Sequence, residues 1–292
     1  MKVWKATMSV WWEVQKMRKL LSANFSRLWK DKIFWLCMGA MLVYSLVYMR
    51  YGCRQAEADL SAYQYSIDRY YFHFALTIGL FCALFGSMFF GTEYSDGTIR
   101  NKVIVGHKKT NLYLASLVTT MAAALLMMAV WLVGALVAVP VLGIWKMTVS
   151  TLLLYLLIAV MFVMAFSAIC TFVYMISANK ASTVAVSMLL VLGLFILAAV
   201  LYVRLNEPEA VSGIEMTANG MEWSEPSPNP RYVSGAKRGV YEFILDFLPT
   251  GQGMKMWQLE INHPVRMLVS SAVITLFTTF GGIYIFKRKN LK

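Results

Sequence analysis

Six long stretches of this sequence contain no Asp, Glu, Lys or Arg, and they limit the fold more than any other feature. A helix needs about 20 apolar residues to cross the hydrocarbon core of a bilayer. The stretches predict membrane-spanning helices at about 33–50, 70–91, 111–139, 150–178, 181–203 and 265–286. Only 14% of the residues are charged, against about 25% in a soluble domain. The sequence therefore predicts an all-α integral membrane protein with no large soluble domain.

The basic residues are distributed unequally between the two sides that six spans define. If the N-terminus is inside, segments 1–32, 92–111, 179–181 and 287–292 hold 17 of the 27 basic residues but only 4 of the 15 acidic ones. An excess of Lys and Arg in short loops marks the cytoplasmic side of a membrane protein. We therefore expect both termini in the cytoplasm. This asymmetry accounts for the net charge of +12 without a nucleic-acid partner.

Two segments outside the spans have patterns of their own. In residues 1–32, apolar side chains recur at spacings of three and four, which predicts a helix lying in the membrane interface; they are Val10, Val14, Met17, Leu21, Phe25 and Leu28. A charged flank that only sets the topology is the alternative. The stretch 204–264 is first acidic and Pro-rich and then amphipathic, which predicts an outer loop with short helices.

The single transmembrane domain, 1–292, is thus expected to have five parts. They are the interfacial helix 1–32, spans one to five within 33–203, the outer loop 204–264, span six at 265–286 and a basic tail at 287–292. No cofactor or metal site is expected in this chain. The histidines His73, His107 and His263 lie in three separate segments, and a metal site needs its ligands close together. Only Cys53 of the four cysteines is expected in a loop.

The loop after the second span has the most distinctive sequence. It reads FGTEYSDGTIRNK from Phe90 and continues to GHKK at Gly106. Acidic residues come before basic ones, which suits a short helix because these charges oppose the helix dipole. Asp96-Gly97 and Gly106 supply residues that favour turns. A short charged helix between two spans is a plausible docking element for a cytoplasmic partner, and an ordinary charged loop is the alternative.

The pattern Glu-x-x-x-Gly-Thr-(Ile/Leu)-Arg after the second of six spans resembles the ABC-2 type permeases. These are the membrane subunits of bacterial ATP-binding cassette exporters with a type V-like fold. Five residues match the pattern position by position: Glu93, Gly97, Thr98, Ile99 and Arg100. Leu248-Pro249-Thr250-Gly251-Gln252 is similar to members from Gram-positive bacteria. The resemblance implies a multi-pass protein of the cell membrane, from a Gram-positive bacterium.

The resemblance also implies that segment 93–109 forms a coupling helix on a separate nucleotide-binding ATPase subunit. The coupling residues expected from it are Glu93, Tyr94, Asp96, Gly97, Thr98, Ile99, Arg100, Lys102, His107 and Lys108. The chain has no GxxxxGK[ST] loop to hold a nucleotide. We therefore expect no enzymatic activity here, with ATP and Mg bound by the partner subunit. A homodimer, or a pair with a related permease, is also required, and membrane lipid surrounds the assembly.

The function implied is ATP-driven export of an amphipathic substrate such as an antimicrobial peptide. The candidate path residues are His73, Phe81, Phe85 and Met88. An interfacial or packing role is the alternative for His73, and lipid-facing packing explains the other three equally well. A non-transporting sensor or immunity subunit is one alternative. An ion-coupled secondary transporter is another, but it predicts acidic residues inside the spans, and the six stretches have none.

Overall fold

The computed structural model describes residues 2–58, 67–136, 146–177, 179–217, 220–223 and 225–290. Helices dominate these ranges. They are α1 (Lys2–Lys30), α2 (Lys32–Ala58), α3 (Ile67–Tyr71), α4 (Phe74–Ser95), α5 (Thr98–Ile104), α6 (Lys109–Leu136), α7 (Val149–Ile176), α8 (Lys180–Leu205), α9 (Gly235–Phe247), α10 (Pro249–Gln258) and α11 (Pro264–Arg288). Four short strands lie between α8 and α9: β1 (Ala210–Val211), β2 (Ile214–Thr217), β3 (Gly220–Trp223) and β4 (Ser227–Pro228).

Six of these helices are long and apolar enough to cross a bilayer: α2, α4, α6, α7, α8 and α11. The prediction of an all-α membrane protein with six spans is therefore confirmed. The predicted ends of the third and fourth spans, at 137–139 and 178, lie outside the described residues. Antiparallel pairs β1–β4 and β2–β3 form two small ribbons in the predicted outer loop.

Two helices differ from the predicted spans at their boundaries. The second span was expected at 70–91, but the chain breaks at Phe72-His73 and α4 then continues to Ser95. Glu93 does not end this helix, because its carboxylate is neutralised by basic side chains from other segments. The first span was expected to end at residue 50, but α2 extends to Ala58. Cys53 is consequently buried in a helix and not in a loop.

The centre of the bundle is α4, which packs against α2, α6, α7 and α8. Its close contact with α7 depends on small residues, as is usual between membrane helices. A Cβ atom added at Gly86 would lie 2.7 Å from the ring of Tyr174. That same ring stacks on Phe90, with 4.7 Å between the centroids. The fit leaves no room for a larger side chain at this position.

The predicted short outer helices are α9 and α10, and the corner between them explains the Leu-Pro-Thr-Gly-Gln-Gly sequence. Pro249 begins α10, where its missing N–H costs nothing. A Cβ atom at Gly251 would lie 2.3 Å from the Leu245 carbonyl oxygen. The Thr250 hydroxyl donates to the Leu194 carbonyl oxygen of α8 at 2.8 Å. These contacts fasten the corner to the bundle.

A buried carboxylate joins the same corner to the last span. Asp246 of α9 is fully buried and accepts from Lys255 of α10 at 2.6 Å and from Arg266 of α11 at 3.1 Å. The Gln252 side chain donates to the Asp246 carbonyl oxygen and accepts from Ser271 of α11, each at 2.8 Å. Three consecutive helices are therefore held together at this end of the bundle.

The amphipathic helix predicted at the N-terminus is α1, which packs mainly against α6. Its buried line is Leu20, Asn24 and Leu28. This line is rotated from the predicted apolar stripe, in which Val14 is 62% exposed. The difference arises because one side of the stripe packs on α6 while the other side is left to face the surroundings of the bundle.

Candidate functional site

The segment that follows α4 is built on two left-handed glycines. Gly97 has φ of 67° and Gly106 has φ of 93°, a backbone region that glycine enters at little cost. Gly97 turns the chain from α4 into α5, and Gly106 turns it from α5 towards α6. The result is the short helix α5 at the basic end of the bundle. We call residues 93–111, from the last turn of α4 to the first turn of α6, the α5 segment.

The first fastening of the α5 segment is a buried ion cluster on α1. The Glu93 side chain is only 3% exposed and is paired with Arg27 of α1 and with Lys102 of α5, the latter at 2.6 Å. Arg27 also lies 3.8 Å above the Phe89 ring. Lys102 donates to the Asn24 side chain at 3.3 Å. One carboxylate therefore joins α1, the end of α4 and α5.

This cluster corrects the predicted charge pattern of the short helix. Glu93 was expected at its acidic start, but it belongs to the last turns of α4, and α5 has no acidic residue in its first turn. Asp96 lies in the turn before α5. The Glu93 charge is thus balanced by Arg27 and Lys102.

A second fastening lies at the other end of the α5 segment. Lys108 pairs with Glu13 of α1 at 2.9 Å, and Asn111 donates to the same carboxylate at 3.0 Å. The hydrogen bond from Lys108 lowers the pKa of Glu13. Burial, together with the charge of Lys16 nearby, lowers the pKa of His107. The lowered pKa favours the neutral form of His107 and leaves the positive charge of this corner to the lysines.

A third fastening ties the α5 segment to the end of α7 and to the chain beyond α11. The Tyr94 hydroxyl donates to the Met175 carbonyl oxygen in the last turn of α7. Lys289 donates to the Ile176 carbonyl oxygen at 2.7 Å and lies 4.5 Å above the Tyr94 ring. Burial lowers the pKa of Lys289 to about 8. Lys109 donates to the Lys289 carbonyl oxygen at 2.6 Å.

The remaining surface of α5 is exposed and partly apolar. Ile104 is 70% exposed and Val105 is 77% exposed, although this end of the bundle is rich in charge. Arg100 is exposed one turn before Ile104, Asp96 is exposed in the turn before α5, and Ile99 is buried. Two adjacent large apolar side chains exposed in a polar region are available for contact with a partner. We call these four exposed residues, Asp96, Arg100, Ile104 and Val105, the α5 tip.

The ten predicted coupling residues therefore divide into two groups. Asp96, Arg100 and Lys108 are exposed, and Gly97, Thr98 and His107 are partly exposed. Glu93 and Ile99 are buried, and Tyr94 and Lys102 are largely occupied by contacts within the chain. Sequence reasoning missed Ile104 and Val105. The available signal was an apolar Ile-Val pair within a short, charged loop.

The four candidate path residues have different surroundings. His73 stacks on Tyr48 with 3.7 Å between the rings, and its Nε2 is 2.7 Å from the Tyr44 hydroxyl. Phe85 is 1% exposed, with its ring 5.2 Å from that of Phe89. Phe81 and Met88 are partly exposed on α4. Within the described ranges, no three His, Cys, Asp or Glu side chains come together as metal ligands.

Comparison with known proteins places this architecture in one family. No curated protein and no solved structure matches the sequence. Residues 20–206 match the family described as ABC-2 family transporter protein. The match extends from the second half of α1, across the α5 segment, to the end of α8. Because it includes well over half of the chain, this protein belongs to the ABC-2 transporter family and is a multi-pass membrane subunit of that kind.

Proposed function

We propose that this chain is the permease of an ABC exporter for an amphipathic substrate, such as an antimicrobial peptide. A separate ATPase subunit binds the α5 tip and supplies the energy. The observation that supports this most strongly is the exposure of Ile104 and Val105 on a short helix that is otherwise firmly held. Two chains of this kind, or this chain and a related permease, form the transmembrane unit.

The α5 tip has the composition of a small docking site. Burying an Ile or Val side chain fully contributes about 1.5–3 kcal/mol. Arg100 is exposed one turn before Ile104 and adds a charged group near the apolar pair, and Asp96 is exposed in the turn before α5. Charged groups at an edge favour the correct partner and orientation more than they add affinity. This combination suits a pocket on an ATPase with an apolar floor and a polar rim.

The three fastenings of the α5 segment provide a route for movement. A displacement of α5 acts on α1 and α4 through Glu93 and its partners. The same displacement acts on α7 through the Tyr94 hydroxyl and on the chain after α11 through Lys109. Since α7 and α11 pack along each other, the movement reaches several spans together. ATP-driven closure of the partner would thereby reorient the membrane helices.

An amphipathic substrate agrees with the surface of α4 and with the composition of the chain. Phe81 and Met88 are partly exposed on this central helix, and the chain contains 20 methionines. Flexible, polarisable methionine side chains adapt to apolar ligands of irregular shape. These features support a peptide or lipid-like cargo more than a small ion.

The test uses a double substitution at the α5 tip. We expect Ile104→Ser/Val105→Ser to reduce co-purification of the ATPase and substrate-stimulated ATP hydrolysis at least tenfold. The matched control is Val149→Ser/Val265→Ser, which changes two valines of similar exposure, 74% and 71%, at the opposite end of the bundle. The control should retain both properties.

Three results would contradict the proposal. Unchanged ATPase binding and hydrolysis in the Ile104→Ser/Val105→Ser variant would show that the α5 tip is not the docking surface. Transport by the purified chain alone, driven by an ion gradient, would replace the ABC mechanism by secondary transport. Ligand-dependent ATPase binding without any movement of substrate would instead favour a sensor subunit.

A further inference from the structure

One face of α1 points away from the α5 segment and forms an open groove of about 580 Å³. The groove is lined by Gln15, Arg18, Lys19, Ser22, Ala23 and Ser26. These positions recur at spacings of one, three and four, so they belong to a single helix face. The larger side chains stand at one end, and small side chains leave space at the other.

Every polar side chain in this groove is able to donate a hydrogen bond, and none is acidic. Helix α1 carries seven basic residues and one acidic residue, Glu13. Glu13, Lys16 and Arg27 are turned towards the α5 segment and make contacts there. Arg18 and Lys19 are exposed in the groove. The groove is therefore complementary to an anion.

The side of the groove nearest the apolar face of α1 carries tryptophan. At 100° per residue, Trp11, Arg18 and Trp29 lie within about 20° of one line along the helix. Trp11 is 67% and Trp29 is 51% exposed. Exposed tryptophans are typical of the level of the lipid headgroups. The Trp35 indole N–H donates to the Trp29 carbonyl oxygen at 2.9 Å, which fixes this edge at the beginning of the first span.

We propose that this groove binds the phosphate headgroup of an anionic phospholipid from the cytoplasmic leaflet. Arg18 and Lys19 neutralise the phosphate, and the Ser22 and Ser26 hydroxyls donate to its oxygens. The acyl chains follow the exposed apolar edge beside Trp11 and Val14. This site is separate from the α5 tip, so it does not depend on ATPase docking.

The experiment measures binding of phosphatidylglycerol to the purified full-length chain by native mass spectrometry. We expect Arg18→Gln/Lys19→Gln to weaken the first binding step roughly 30-fold, because each basic residue near an anionic lipid contributes about fivefold. The matched control, Lys287→Gln/Arg288→Gln, removes the same charge from two exposed residues at the same end of the bundle. It should change binding less than threefold.

A second variant separates a defined site from general charge attraction. Ser22→Leu/Ser26→Leu keeps both basic residues but fills the floor of the groove, and we expect it to weaken binding at least tenfold. Equal binding by this variant and the unaltered chain would overturn the proposal. So would displacement of the lipid by millimolar inorganic phosphate, which would indicate a soluble anion. If either groove variant no longer co-purified with the ATPase but still bound the lipid, the groove would be assigned to a protein partner.

Discussion

At the residue scale, the structure differs from the sequence interpretation most clearly at Glu93. The family pattern identifies Glu93 as part of the coupling element, but the residue is 3% exposed and has its charge partners within the chain. A buried carboxylate is tolerated only when cations and hydrogen bonds compensate its lost hydration. Arg27 is 66 positions away in sequence, so no local pattern reveals this pairing.

Substituting Glu93 should therefore impair folding before it impairs partner binding. Glu93→Gln leaves Arg27 and Lys102 without their shared counter-ion in a partly buried site, and we expect a loss of about 2 kcal/mol after allowing for the exposure of Arg27. Glu13→Gln is the control, because it removes a partly exposed carboxylate that also contacts the α5 segment. Thermal unfolding in detergent should detect the first change and not the second. Equal effects would contradict the buried-cluster interpretation.

At the element scale, the corner between α9 and α10 shows why a short motif can require glycine at one position. Gly251 lies so close to the Leu245 backbone that a methyl group would collide with atoms that cannot rotate away. The sequence predicted short helices here, and the Leu-Pro-Thr-Gly-Gln motif was identified from its similarity to family members. It did not predict that the motif serves backbone approach, because that depends on how two helices meet.

Substitution at this corner should distinguish a packing constraint from helix propensity. We expect Gly251→Ala to destabilise the chain by about 2–4 kcal/mol, a range typical of steric overlap in a packed site. Gly239→Ala is a matched control in α9, where a Cβ atom meets nothing within 4 Å. It should stabilise by about 0.5–1 kcal/mol through helix propensity. If both substitutions stabilise the protein, the close approach at Gly251 does not exist.

The joint at Lys289 should make stability depend on pH. Burial lowers the pKa of Lys289 from 10.5 to about 8, so the unfolded chain holds this proton more tightly than the folded one. Stability should therefore rise as pH increases from about 8 towards 10.5, and this contribution is absent below pH 8. Unfolding midpoints should show the rise in the unaltered chain and in Lys287→Gln. Lys289→Gln should show a smaller slope, and an unchanged slope would place the titration elsewhere.

At the scale of the whole molecule, the number and order of the spans were predictable because charge is so costly in lipid. The absence of charge identifies a span from its own residues, whatever packs against it. Five of the six predicted spans therefore begin within two residues of the first residue of a helix. Helix α4 begins and ends four residues later than the predicted second span, because the chain turns at Phe72-His73 and because Glu93 is neutralised from a distance. The α5 tip was only partly predicted, since exposure depends on which side chains α1 already covers.

The topology leads to a labelling prediction. The four native cysteines are buried, so a new cysteine at an exposed position should react selectively. We expect Ser212→Cys, in the exposed segment between β1 and β2, to react with an impermeant maleimide added to intact cells. Asn101→Cys, exposed on α5, should react only after the cells are opened. The reverse pattern would invert the orientation.

The most direct test of the central claim is site-specific photocrosslinking in the cell membrane. A benzophenone amino acid in place of Val105 should form an adduct with an ATP-binding protein, identified by mass spectrometry. The same group in place of Val149, which is similarly exposed at the other end of the bundle, should not. An ATPase adduct from position 105 alone is the predicted result. No ATPase adduct from position 105, or one from position 149, would contradict the account.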